Sequence, residues 1–285
     1  LLLYLHYIMD NLKETILTLE ISDKSKKVYL SLLNRLGKNK FKFPVKSPEK
    51  QDYIQEFLGQ FPKYSTKLDM LNIIIVIRNS KDLKTDKLKE LRKAYQKERI
   101  SDNVEVMNKK GKELLTLEQF KEKMDQAFNK EQYDKYIINY LWSTYGVRSA
   151  DVDVEIVKSK KAMIDKKQNY LYLGKAGVKY IRNNYKTIST YGEKTHAIED
   201  DKFIKSVKEL GLGNVLSKGQ IGNALRKLMI DSHNESDVFK LIIDDAYDKE
   251  DTERINQLSD TRGTNISTIR SFYNVNASQD IIREL

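Results

Sequence analysis

Two separated stretches carry side chains suited to chemistry at phosphorus. TYGVRSADV (144–152) sets Arg148 on a Gly-containing turn with Asp151 three residues on. RGTNISTIRSFY (262–273) places Tyr273 ten residues after Gly263. A second arginine, Arg226, stands in NALRK (223–227), and Lys186 in YIRNNYKT (180–187). Breaking a phosphodiester without a metal requires a nucleophile, neutralisation of charge on the non-bridging oxygens, and a proton for the leaving oxygen. A planar guanidinium gives a phosphate two hydrogen bonds in fixed geometry, so arginines suit the second task. A lysine can deliver the proton, and a tyrosine can form a phosphotyrosine that stores the bond energy for religation. Each residue also has a plain structural reading. Arg148 could pair with Asp151 or Asp153 at the surface, Arg226 could lie on a solvated helix face, and Phe272 with Tyr273 could be a core aromatic pair.

Taken in order, these boxes resemble those of the tyrosine recombinases, the lambda-integrase family. TYGVRSADV is similar to the first-arginine box, NALRK to His-x-x-Arg, and RGTNISTIRSFY to the Gly-His…Tyr box with its ten-residue gap. YIRNNYKT followed by STYG resembles the β-hairpin that carries the family's lysine, and SDKSKKVYLSLL (22–33) the opening of its core-binding domain. The likeness runs over about residues 22–278. It implies that Arg148 and Arg226 bind the scissile phosphate, that Lys186 is the general acid and that Tyr273 is the nucleophile, with Asp151 as a structural carboxylate. Lys175, Lys179 and Lys194 are rivals for the lysine's place. Two positions depart from the pattern: Asn223 stands where the family has the histidine of His-x-x-Arg, and Thr264 where it has His or Trp. Both can donate a hydrogen bond to a phosphate oxygen, but neither shuttles protons near neutral pH as histidine does.

The resemblance implies a site-specific recombinase acting through a 3′-phosphotyrosyl link, with no cofactor or metal, on double-stranded DNA as a homotetramer across paired sites. It also implies an intracellular protein, not secreted and without a membrane partner, of the kind found in mobile or viral elements. Two alternatives stay open. A type IB topoisomerase shares the covalent tyrosine, and a DNA-binding protein on a decayed recombinase scaffold would account for Asn223 and Thr264.

Composition narrows the classes further. The chain has no cysteine, which excludes disulfides and thiolate metal sites, and its three histidines (His6, His196, His233) lack ligand-like spacing. Apolar residues at 40% and charged residues at 32% fit a folded globular chain. No apolar run, NIIIVI (72–77) included, approaches the ~18–20 residues of a membrane span. LLLYLHYIM at the start lacks a basic leader and a small-residue cleavage site, so it does not read as a signal peptide, and the missing initiator Met suggests a trimmed or partial chain. The net charge of +10 is uneven: residues 1–114 hold 24 Lys and Arg against 15 Asp and Glu, leaving the remainder near neutral. A basic N-terminal part beside a near-neutral one matches an electrostatic grip on nucleic acid, for which Lys24, Lys26, Lys27, Lys38, Lys40 and Lys42 are the candidates. A solvated lysine-rich surface is the plain alternative.

Periodicity supplies the frame. The expected class is mainly α with a small antiparallel β-sheet (α+β): a helical domain over 1–102, a connector over 103–114 and a second domain over 115–285, which the resemblance implies are the core-binding and catalytic domains. Val28, Tyr29, Leu32, Leu33 and Leu36 recur at helical spacing after a Ser22 or Asp23 cap, with Gly37 as the expected stop. SPEKQDYIQEFLGQF, STKLDMLNIIIVIRNS and TDKLKELRKAYQKERI continue a bundle of four or five helices. SDNVEVMNKKGKE (101–113) has no apolar period and reads as the connector. Thr116 and Gln119 form a capping-box pattern, and YDKYIINYLWSTYG leads a helix into the Arg148 turn with Trp142 in its core. NYLYLG, VKYIRNNYKT and TYGEKTHAIED read as strands, after which helices resume.

Overall fold

The computed structural model describes residues 2–41, 51–111, 114–165, 167–216 and 221–274. The chain divides into two compact units between Asn103 and Val104.

The first unit is helical: α1 (Leu2–Leu17), α2 (Asp23–Lys38), α3 (Gln51–Gly59), α4 (Tyr64–Asn79) and α5 (Asp86–Gly111). Ser22 caps α2 by accepting from the Ser25 amide, while Gly37 lies inside the helix rather than ending it. Leu33 and Leu36 are fully buried and Val28 is not, so the apolar stripe of α2 is narrower than its spacing implies. The NIIIVI run of α4 is the centre of this core, with Ile73, Ile74 and Leu71 fully enclosed. Burial of each such side chain stabilises the unit by about 1.5–3 kcal/mol. The stretch 101–113 is helical through Gly111 rather than irregular. Its lysines, glutamates and methionine are good helix formers without an apolar stripe, so propensity carries it where periodicity is silent.

The second unit is α+β. It runs α6 (Leu117–Asn129), α7 (Tyr133–Tyr145), β1 (Val154–Val157), a 3₁₀ turn at Lys160–Ala162, β2 (Asn169–Gly174), β3 (Gly177–Arg182), α8 (Ile188–Tyr191), β4 (Lys194–Ile198), α9 (Asp201–Leu210), β5 (Gly213–Asn214), α10 (Ile221–Leu228), α11 (Glu235–Asp248), α12 (Thr252–Arg262) and α13 (Ile266–Phe272). The Thr116–Gln119 capping box is formed. Trp142 on α7 is buried with Phe203, Tyr180, Val154 and Leu171 between the helices and the sheet.

The sheet order is β4-β3-β2-β1-β5. It is mixed rather than antiparallel: β1 and β2 pair in parallel, Val154 beside Asn169, while the other pairings are antiparallel. The segment between β1 and β2, with its 3₁₀ turn, is long enough for the chain to return and run the same way, which a tight hairpin cannot do. β3 ends at Arg182, earlier than the VKYIRNNYKT run suggests, and the connection to β4 carries Lys186.

His196 on β4 lies opposite Tyr180 and 4.6 Å, ring to ring, from Tyr145. Burial first, then Arg182 and Lys194, push its pKa down to about 4 from 6.5. The folded form therefore binds the proton less readily than the unfolded chain. The neutral ring's contribution is whole above pH 6.5 and is lost as the pH falls through about 4. We expect this window to cost the second unit on the order of 2 kcal/mol, reduced for the ring's partial exposure. His196→Phe should flatten that part of a stability–pH curve measured by urea unfolding.

Candidate active site

The Arg148 turn is fixed from beneath. α7 ends at Gly146 with φ 61, where the amide bonds to the Trp142 carbonyl. A side chain there would be strained in backbone and would meet the Phe239 ring at 2.7 Å. Asp151 accepts the Arg148 backbone amide through Oδ2 at 3.1 Å, closing the turn. The same oxygen pairs with Arg182 Nη2 at 2.6 Å, both side chains fully buried. Asp151 thus orients the Arg148 backbone while its ion pair is to Arg182. Tyr180 and Asn169 donate to the Asp151 carbonyl.

Three cations from the rest of the unit converge on the end of α12. The last carbonyls of a helix lack partners within it and carry partial negative charge. Here Lys194 Nζ donates to the Asp260 carbonyl, Arg182 Nη1 to Thr261 at 2.7 Å, and Arg148 Nη1 to Arg262 at 2.5 Å. Gly263 follows at φ 60 as a left-handed cap, and the Thr264 amide bonds back to the Ser259 carbonyl at 3.1 Å. Arg148 Nη2 reaches the Thr264 hydroxyl at 3.0 Å. Burial, then the neighbouring Arg262 guanidinium, lower the Arg148 pKa from its ordinary value, opposed by Asp151, Glu235 and Tyr273. An arginine stays charged through such a shift. Burial, then Arg182, likewise lower that of Lys194.

Asn265 caps α13 by accepting from the Thr268 amide at 2.7 Å, and Tyr273 ends that helix. The Tyr273 ring stands edge-on to Phe239 of α11, centroids 4.7 Å apart. Beneath it lies Arg262, only 3% exposed. Its Nη1 donates to the Gly146 carbonyl at 2.8 Å, and its Nη2 pairs with Glu235 and lies 3.5 Å from the Tyr273 hydroxyl. Glu235 also accepts from the Ser149 amide and hydroxyl at 3.2 and 3.3 Å.

Lys186 is exposed, and the residue after it docks on the tyrosine box. A Cβ on Gly263 would fall 2.2 Å from Thr187 Oγ1 and 3.0 Å from its Cβ and Cγ2. Gly263→Ala therefore combines left-handed strain with a collision. We expect a loss of about 2–3 kcal/mol in stability. Thr187→Ala in the same chain should restore part of it by removing Oγ1 and Cγ2, read by thermal melting of the two variants and the pair.

The structure brings Arg148 and Thr264 into contact and sets Tyr273 against Arg262, whose carbonyl Arg148 holds, with Lys186 one residue from the contact on Gly263. Asn223 and Arg226 stand exposed on α10, whose Leu225 packs inward, and among the described residues the contacts of the Arg148 cluster do not include Arg226. Arg182, Glu235 and Arg262 are members of the network that sequence reasoning did not single out. His233 is a structural residue: its ring accepts the Leu115 amide at 3.2 Å.

In the first unit, Lys27 and Lys38 line an open groove of about 650 Å³ on α2 with Ser31, Asn34 and Arg35. Lys40 is exposed, and Lys26 donates to the Leu17 carbonyl. The side chain of Lys24 and all of Lys42 lie outside the described residues. Among the described residues no helix is long and apolar enough to cross a membrane.

No protein-family model matches the chain. No curated protein matches its sequence. Among solved structures the chain is similar to one described as the crystal structure of XerA recombinase, with a TM-score of 0.37, 10% identity and 98% of each chain covered. A likeness of that extent carries no argument about activity, which rests on the side chains.

Proposed function

We propose that the chain is a DNA strand transferase of the tyrosine-recombinase type. The observation that carries this reading is the half-buried Arg148 guanidinium held beside Thr264 with Tyr273 in electrostatic reach. Such a group neutralises charge that grows on a phosphate oxygen during attack. The Tyr273 oxygen attacks phosphorus, a 3′-phosphotyrosyl bond forms, and the bond to the 5′-oxygen breaks. The phenolic proton leaves to solvent, and Lys186 supplies a proton to the 5′-oxygen. A 5′-hydroxyl from a partner duplex reverses the attack. Arg226 and Asn223 would complete the phosphate's ligands from α10, and Thr264 would donate to it. No metal or cofactor takes part. Exchange between two duplexes calls for a homotetramer on paired sites of double-stranded DNA, as for an integrase of a mobile or viral element. The basic face of α2, with Lys27 and Lys38, and the other N-terminal lysines Lys24, Lys26, Lys40 and Lys42 would contact phosphates.

One observation favours a second, binding-only reading: both terminal nitrogens of Arg148 are already engaged, by the Arg262 carbonyl and the Thr264 hydroxyl. The test is a suicide substrate. The protein and its Tyr273→Phe variant are incubated with nicked duplex from the ends of the element encoding the chain, EDTA present, and resolved on denaturing gels. A covalent band dependent on Tyr273 is the expected result. Binding without such a band, on DNA shown to contain the site, would establish the binding-only protein. Supercoil relaxation without strand exchange would identify a type IB topoisomerase.

A further inference from the structure

The best-connected side chain of the cluster is one the proposed chemistry does not use. Arg262 is buried, yet its guanidinium touches three separate parts of the unit. Nη1 holds the Gly146 carbonyl at the start of the Arg148 turn. Nη2 pairs with Glu235 at the first position of α11, and Glu235 in turn accepts from the amide and hydroxyl of Ser149. The guanidinium carbon Cζ lies 4.0 Å from the Phe239 ring centroid and 5.2 Å from that of Tyr273, with Nη2 3.5 Å from the phenol oxygen. Phe239 and Arg262, stacked on each other, thus form one seat for Tyr273: an aromatic edge contact beside a cation.

We infer that Arg262 is a positioning residue for Tyr273, with Glu235 as the counter-charge that fixes the guanidinium. The inference rests on the reading of Tyr273 as the nucleophile. A donor facing the phenol oxygen makes that oxygen an acceptor there, so its own proton points away from Arg262. The cation also favours negative charge as it builds on that oxygen. At 3.5 Å the contact lies at the outer limit of a hydrogen bond, so Arg262 acts on the phenol oxygen mainly through its charge. Arg262 also borders Thr264 through Gly263, so one residue links the Arg148 turn, the phosphate-facing hydroxyl and the nucleophile.

Two readouts on the full chain test this, with Arg262→Leu and Arg262→Lys. The first is single-turnover formation of the Tyr273 adduct at saturating nicked duplex, with DNA affinity measured separately. Arg262→Leu should slow adduct formation about 10²-fold, as displacement of a reacting group does, with affinity within about twofold of the parent. Arg262→Lys should recover part of that rate. The second readout needs no reaction: 3-fluorotyrosine placed at 273, whose fluorine resonance should shift in Arg262→Leu and also in Glu235→Gln.

Parallel loss of rate, DNA affinity and melting temperature, with the lysine variant no better than leucine, would reduce Arg262 to a structural part and overturn the inference. So would an unchanged rate with an unchanged fluorine signal. If the parent protein forms no adduct at all, the nucleophile reading itself has failed. An adduct formed equally fast by parent and Arg262→Leu would sink this inference alone.

Discussion

Asp151→Ala is expected to lower the stability of the second unit by about 3–5 kcal/mol, because it strands a buried guanidinium without its counter-charge. Arg182 and Asp151 are both 0% exposed and 2.6 Å apart. Arg182 also spans to the Thr261 carbonyl and lies 4.4 Å from the Tyr185 ring, so it has nowhere to reach water without breaking the end of α12. The same substitution removes the acceptor that closes the Arg148 turn. Urea unfolding read by tryptophan fluorescence checks this directly: Trp142 is the chain's single tryptophan and sits in the core of this unit. Replacing both partners by apolar residues of similar volume, Asp151→Leu with Arg182→Met, should recover most of the loss, since no charge is then left buried. A double variant as unstable as Asp151→Ala would show that the other bonds of Arg182 matter more than its charge.

Arg148→Lys is the second large effect, on reactivity rather than on folding. A lysine keeps the charge but presents one ammonium point where the guanidinium spans the Arg262 carbonyl and the Thr264 hydroxyl together. If Arg148 stabilises the phosphate in the transition state, cleavage of the nicked duplex should fall by about 10²–10³, the cost of losing one preorganised donor at a developing charge. Binding of intact duplex should change far less, because most of its affinity comes from other phosphate contacts. The measurement is adduct formation over time at saturating DNA beside an equilibrium titration at fixed salt. Equal losses in the two would assign Arg148 to ground-state binding.

Some residues at element ends were legible from the chain, although Gly37, expected to stop α2, lies inside it; those in the interior of the site were not. Ser22 and the Thr116–Gln119 box announce caps, and Gly146 a turn, because each meets a local backbone demand that few side chains can satisfy. Arg148 and Tyr273 were singled out by their spacing from Gly146 and Gly263. Arg182 was hidden because it reads as one more residue of a strand, and its partner Asp151 is 31 positions away. Arg262 was hidden by its neighbour: Gly263 draws the eye to the turn, while the contacts of Arg262 are with α7, α11 and α13. Glu235 looks like an ordinary acidic residue of a first helical turn. The parallel strand β1 was missed for a different reason. At four residues it is too short to show a period, and its partner is chosen by the return path of the chain.

The three cations on successive carbonyls at the end of α12 have a geometric consequence. A body held at one point can swivel, and at two it can still rock about the line joining them. Three points that are not collinear leave it no rigid motion. Lys194 of β4, Arg182 of β3 and Arg148 of the turn after α7 approach the helix end from three elements, on carbonyls that successive residues fan around its axis. Loss of one support leaves the other two, with the Arg262 side chain on Gly146 and Glu235, to hold the helix end. Substituting each cation in turn should therefore free the helix end on a different side, toward the element that had held it.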